Sequence, residues 1–201
     1  MRNKKTLCGI ELGSWYIPAA VVSSIMLGVF NAFLGHANSF IFHLPLFLDT
    51  IGTLISTALF GLAAGIATAV VTHITPDLFS FMAGGYLPWV FCSIASALTL
   101  WLFLRNNRFS NMLHLISVTL AVTLANAFTG AVVAVFFYSG MTNHPVDFLM
   151  TGFVSIGQSL FSAAFWARIP VNFIDKGIAV LVTFVLYRFC SRRGELRKKN
   201  E

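Results

Sequence analysis

Apolar residues in this chain run in long blocks broken by short polar stretches, and the blocks have the length of bilayer crossings. Those at about 15–35, 87–104, 112–138 and 169–189 approach or exceed the roughly 20 residues that a helix rising about 1.5 Å per residue needs to cross the hydrocarbon. A longer block, FIFHLPLFLDTIGTLISTALFGLAAGIATAVVTHITPDLFSFM, covers 40–82. It predicts two spans, 40–60 and 62–82, hinged near Gly61. The total is six.

Composition supports the class: 57% of residues are hydrophobic, 10% are charged, and mean hydropathy is +0.82. The expectation is an all-α integral membrane protein, a six-transmembrane-helix bundle forming one domain over 1–201, with no soluble domain left over. The basic N-terminus leads into a long apolar run without a small-residue cleavage site, so it reads as a retained first span. Cys8, Cys92 and Cys190 show neither metal-ligand nor secreted-framework spacing and are expected to be unpaired.

Charge placement tests the span count. With six spans and both termini cytoplasmic, Arg2, Lys4, Lys5, Arg105, Arg108 and the basic tail over 190–201 all face inward, leaving Arg168 outside and Lys176 within a span. Five spans would export the tail. The net charge of +6 then reflects topology and anionic membrane lipid, with no nucleic-acid partner.

The remaining apolar stretch, 148–166, would break this topology if it crossed. Leu149, Phe153, Ile156, Leu160 and Ala164 share one helical face, and Thr151, Ser155, Gln158, Ser159 and Ser162 the other. It predicts an amphipathic outer helix between spans five and six, either over a cavity or as a plain connector.

Polar groups within the spans cluster toward the outer half. Asp49 and Thr53 lie on the second, His73 and Thr75 on the third, Tyr86 and Trp89 at the fourth, Asn126 and Thr129 on the fifth, and Asn172, Asp175 and Lys176 on the sixth. A charge at bilayer depth costs upward of about 2.5 kcal/mol, so each should face protein or water and be paired. Adjacent helical residues point about 100° apart, so Asp175 and Lys176 should not serve one narrow space together. Asp49 is the expected partner of Lys176, leaving Asp175 and Asn172 for another partner or a ligand. A structural ion pair fixing helix register is the competing reading for Asp49 and Lys176. Tyr86, Trp89 and Trp166 are candidates for stacking on a flat heterocycle, with bilayer anchoring the alternative, above all for Trp166. His36, His43, His73 and His144 have no metal-ligand spacing, and neither catalytic nor nucleotide motifs appear, so no metal, cofactor or enzymatic activity is expected. On the first span Ala20, Ser24, Gly28 and Ala32 form a small-residue ridge, suited to docking a membrane partner or to packing within the bundle.

Two stretches carry a family resemblance. FLDTIGTLISTALFGLAAGIATAVVTHI resembles the second and third spans of the substrate-binding S components of energy-coupling factor (ECF) transporters, and IPVNFIDKGIAVLVTFVLYRF is similar to the last span in a subset of them. The resemblance implies a high-affinity binding subunit for a vitamin or related micronutrient, in a bacterial or archaeal cell membrane. It would work with a transmembrane coupling subunit and two ATPase subunits, the ridge being the docking surface. Asp49, His73, Tyr86, Trp89, Asn126, Asn172, Asp175 and Lys176 are the candidate substrate contacts, with riboflavin, thiamine and pyridoxine all open. The ridge departs from the family's alanine pairs by using Ser24 and Gly28. A solitary small-solute carrier and a membrane ligand sensor are the alternatives.

Overall fold

The computed structural model describes residues 6–7, 10–79, 85–106, 109 and 111–200. Arg2, Lys4, Lys5, Cys8, Gly84, Arg108 and the last three residues of the third expected span lie outside them. A minimal antiparallel ladder pairs β1 (Thr6–Leu7) with β2 (Ile10–Glu11). The α-helices among the described residues are α1 (Tyr16–Ala37), α2 (Ile51–Phe60), α3 (Leu62–Phe79), α4 (Val90–Arg105), α5 (Met112–Tyr138), α6 (Val146–Ser155) and α7 (Leu160–Asn200).

Interhelical contacts give the direction of each helix. Tyr16 Oη donates to Phe60 O at 3.1 Å, the Ser24 and Ser56 hydroxyls meet at 3.4 Å, and Asn31 Nδ2 donates to Thr53 Oγ1 at 3.2 Å, so α2 runs antiparallel to α1. Ser24 also donates to Ala64 O and Asn31 to Thr72 Oγ1, each at 3.1 Å, which sets α3 parallel to α1. The reversal falls at Gly61, whose φ of 93° an L side chain rarely adopts. That is the predicted hinge. His73 reaches Ser93, Asn126 reaches Ser96, and Arg168 lies against Gly130, so α4, α5 and α7 alternate in turn. The N-terminus of α1 and the C-terminus of α7 therefore share the end of the bundle that carries the Gly61 hinge.

The residue distribution is that of a protein dissolved in lipid. Val22, Met26 and Phe33 on α1, Leu113, Leu124 and Phe128 on α5, and Phe173, Ile174 and Val185 on α7 are exposed, whereas Ser24, Asn31, Thr53, Thr68, Ser96 and Asn172 are buried. Water would reward the opposite arrangement; in hydrocarbon the large apolar side chains lose nothing outside and the polar groups find partners inside. Among the described residues five segments are long and apolar enough to cross a membrane: Gly13–Ala37, Leu62–Phe79, Leu87–Arg105, Met112–Tyr138 and Leu160–Arg193.

Four expectations change. The second span, expected at 40–60, is helical only over the ten residues of α2, about half a bilayer at 1.5 Å each. A π-turn at Asn38–Phe42 and an irregular segment over 43–50 precede it, where Pro45 lacks an N–H and disfavours helix and His43 and Leu48 take positive φ. The amphipathic segment 148–166 is not one helix: α6 ends at Ser155, the chain turns at Gly157, and 160–166 belongs to α7. The last helix thus starts at Leu160 rather than 169 and takes Pro170 and Arg168 into its interior, so Arg168 is not the outer-surface residue its charge suggested. Cys92 is a buried free thiol, but Cys190 is disulfide-bonded.

Candidate functional site

At the end opposite the hinge, the segment 43–50, the 85–89 turn and the 139–145 connection converge over a cavity of about 140 Å³. Helical residues wall it and loop residues roof it. Asp49, His73, Tyr86, Trp89, Asn126, Asn172 and Lys176, seven of the eight expected contacts, line it; Asp175 does not.

Lys176 pairs with Asp49 as expected, but it also engages the adjacent Asp175, which was not expected to share its space. Lys176, 1% exposed, bridges both carboxylates: its Nζ lies 2.7 Å from Asp175 Oδ2 and 3.2 Å from Asp49 Oδ1. It also donates to Thr50 Oγ1 at 2.6 Å, and that hydroxyl donates to Asp49 Oδ1 at 2.7 Å. The length of the lysine stem lets Nζ reach the neighbouring carboxylate despite the roughly 100° divergence of the two Cβ directions. Asp175 Oδ1 accepts from Leu48 N at 2.8 Å, at a residue held at φ 54°. Asp175 is therefore a clamp on the roof segment and not a group left for a ligand. Asn38 fastens the same segment from the other side, its Nδ2 donating to Leu44 O at 3.0 Å and Leu46 O at 2.6 Å.

Two aromatic pairs stand at the cavity. Phe47 stacks on His144 with centroids 4.6 Å apart, and Trp89 on Tyr138 at 5.4 Å. The Tyr138 hydroxyl donates to Gly85 O, and Asp77 accepts from Tyr86 N and Leu87 N, so the turn carrying Tyr86 and Trp89 is tied to α3 and α5. Asp147 fixes His144, accepting from Thr142 N at 2.7 Å, Thr142 Oγ1 at 2.8 Å and His144 N at 3.4 Å. Val146 N donates to His144 Nδ1 at 3.2 Å, so the proton sits on Nε2, which donates to Leu46 O at 3.3 Å. Burial pushes the His144 pKa below its ordinary value, keeping the ring neutral at physiological pH. Trp166 is half-exposed, packs edge-on against Phe165, and takes no part in the lining.

Deeper in, His73 Nε2 meets Ser93 Oγ at 2.9 Å, and Asn126 Nδ2 donates to Ser96 Oγ at 2.6 Å. Asn31 is fully buried: its Nδ2 serves Thr53 and Thr72 while Oδ1 accepts from Gly52 N at 2.7 Å. Among the described residues no three His, Cys, Asp or Glu side chains gather as a metal site requires.

Sequence reasoning missed Arg168, His144 and Phe47, all of which line the cavity. For Arg168 a signal existed: Arg168, Asn172 and Lys176 follow one another at i, i+4 on one helical face. The small-residue ridge of α1 lies against the chain's own helices. Ser24 bonds to α2 and α3, a Cβ on Gly28 would come within 2.6 Å of Val71, and Ala32 borders the cavity.

No curated protein and no solved structure matches the chain significantly. The family model described as ECF transporter, substrate-specific component, matches residues 19–187.

Proposed function

Because this chain belongs to the substrate-specific components of ECF transporters, we propose that the cavity at its loop end is the substrate site, where the chain captures a vitamin or related micronutrient for uptake. Membership makes it a membrane-embedded substrate binder whose family partners are coupling and ATPase subunits. The observation that carries the reading is the cavity's lining, in which stacked aromatics, fixed hydrogen-bonding groups and buried charges share one enclosed space. Aromatic walls suit a flat ring, and Asn126, Asn172 and Asp49 suit its polar edges.

We place this end outside the cell, since Arg105, Arg188, Arg192 and Arg193 belong to the hinge end, where the positive-inside tendency puts the cytoplasm. Substrate then enters between the roof segments and leaves inward when a transmembrane coupling subunit and two ATPase subunits engage the chain. Gentle purification from the native membrane, with mass spectrometry of retained small molecules and co-purifying subunits, tests this. A ring-bearing micronutrient with ATPases is the expected result. A bound solute in a preparation that never contains ATPases would replace the reading with a solitary carrier.

A further inference from the structure

Arg168 stands out in the charge accounting of the cavity. It is 1% exposed, on the lining, and among the described residues only Nη1 has a hydrogen-bond partner, donating to Ala164 O at 3.1 Å. Among the described residues Nε and Nη2, one edge of the guanidinium fork, are buried without a protein hydrogen-bond partner, and no carboxylate forms an ion pair with this side chain. Every nearby acid is committed: Asp49 and Asp175 to Lys176, Asp147 to the backbone and hydroxyl of Thr142 and to His144 N. A buried guanidinium left so is expensive, because it keeps its charge at all physiological pH values and loses its hydration.

The local packing holds the group in this position. Gly130 of α5 has no side chain, and a Cβ there would sit 3.1 Å from Arg168 Cδ and 3.3 Å from Nε. The guanidinium carbon lies 5.8 Å from the centre of the Trp89 ring. A planar donor edge beside an aromatic face suits a carboxylate or phosphate, which accepts from two parallel N–H groups.

We infer that the ligand of this cavity carries an anionic group, a carboxylate or a phosphate, bound by the Nε–Nη2 edge of Arg168. The inference rests on the proposed binding role of the cavity and narrows its substrate class to acids. The anion completes the ion pair that the chain leaves open, and Trp89 packs against the part of the molecule next to that anion.

The test uses the full-length protein in detergent and matched acid and neutral compounds: nicotinate with nicotinamide, pantothenate with pantothenol, biotin with its amide, and riboflavin phosphate with riboflavin. A metabolite extract, followed by mass spectrometry of what the protein retains, is run in parallel. The wild type is expected to bind an acid at least about tenfold more tightly than its neutral partner, the scale of a charge-assisted bidentate contact. The carboxylate and phosphate pairs separate the two anion types. Arg168→Gln should lose about ten- to hundredfold in affinity for that acid, and Arg168→Lys should recover part of it. Gly130→Ala, which crowds the arginine without touching its charge, should weaken the acid more than its neutral partner. Preference for a neutral compound, or equal affinity for both members of every pair, overturns the inference while leaving the cavity a binding site. Retention of nothing from either source overturns both. The acid-against-neutral comparison needs no variant, so it decides the matter even if Arg168→Gln fails to fold.

Discussion

Replacing Lys176 by methionine removes one cation that holds the buried Asp175 carboxylate, the partly exposed Asp49 carboxylate and the Thr50 hydroxyl, while keeping most of the apolar stem. Breaking a buried ion pair from one side costs about 3–5 kcal/mol, because the abandoned charge stays buried. Here Asp175 is 2% exposed and stays fixed to Leu48 N, so it cannot relax into solvent, and the loss should lie in that range. For a chain of this length about 1 kcal/mol corresponds to 2–4 °C, which gives a fall in Tm of roughly 10 °C for Lys176→Met. Thermal unfolding of the detergent-purified proteins by tryptophan fluorescence reads the shift. The clamp also predicts strong coupling: Asp175→Asn removes the surplus negative charge, so Lys176→Met/Asp175→Asn should unfold at a higher temperature than the sum of the single shifts implies. A Lys176→Met shift below about 2 °C, or strict additivity in the pair, would refute the assignment of these residues to holding the roof.

Further outcomes follow from the same contacts. Asn31→Leu removes both donors and the acceptor for Gly52 N at a fully buried position, and should cost about 2–4 kcal/mol in the same unfolding assay, with Thr53→Val partly offsetting it. The folded-state pKa of His144 is held below its unfolded value of about 6.5, so between the two the unfolded chain binds a proton that the native chain does not. Its contribution is therefore complete above about pH 6.5 and declines as the pH falls. Tm measured from pH 7.5 down to 5 should show a slope that His144→Gln reduces. Asp175→Asn, by contrast with the arginine variants, should leave ligand affinity within about threefold, since that carboxylate lies outside the lining.

Much of this architecture is legible in the sequence, and the misses have physical causes. The Gly61 hinge was readable because a 43-residue apolar block cannot be one crossing and glycine marks the reversal. The convergence of Asp49, His73, Asn126, Asn172 and Lys176 followed from depth alone, since polar groups in hydrocarbon must find one another. Arg168 escaped because topology arguments treat every arginine as a marker of the membrane surface, whereas the space beside Gly130 admits this one to the interior. Pro45 carried a signal against a helix at 40–50 that unbroken hydrophobicity obscured. Ser24 carried one too: a hydroxyl in a small-residue ridge seeks the polar interior, and it finds Ser56 and the carbonyl of Ala64. The stacking of Phe47 on His144 joins two loops almost a hundred residues apart and leaves no local pattern to read.

The claim that the cavity holds the substrate is tested most directly by occupying it from within the chain. Gly35 borders the cavity on α1, and a Cβ there would rest at an ordinary 3.5 Å from Phe47 O and 3.9 Å from Asp49 Cβ, so Gly35→Leu replaces a helical glycine with a better helix former and adds bulk at the cavity wall. The measurement is the amount of small molecule retained per chain by gently purified wild type and Gly35→Leu. The account predicts near-stoichiometric retention by the wild type and almost none by a variant that unfolds at an equal or higher temperature. Equal retention of the same compound by both proteins would contradict it.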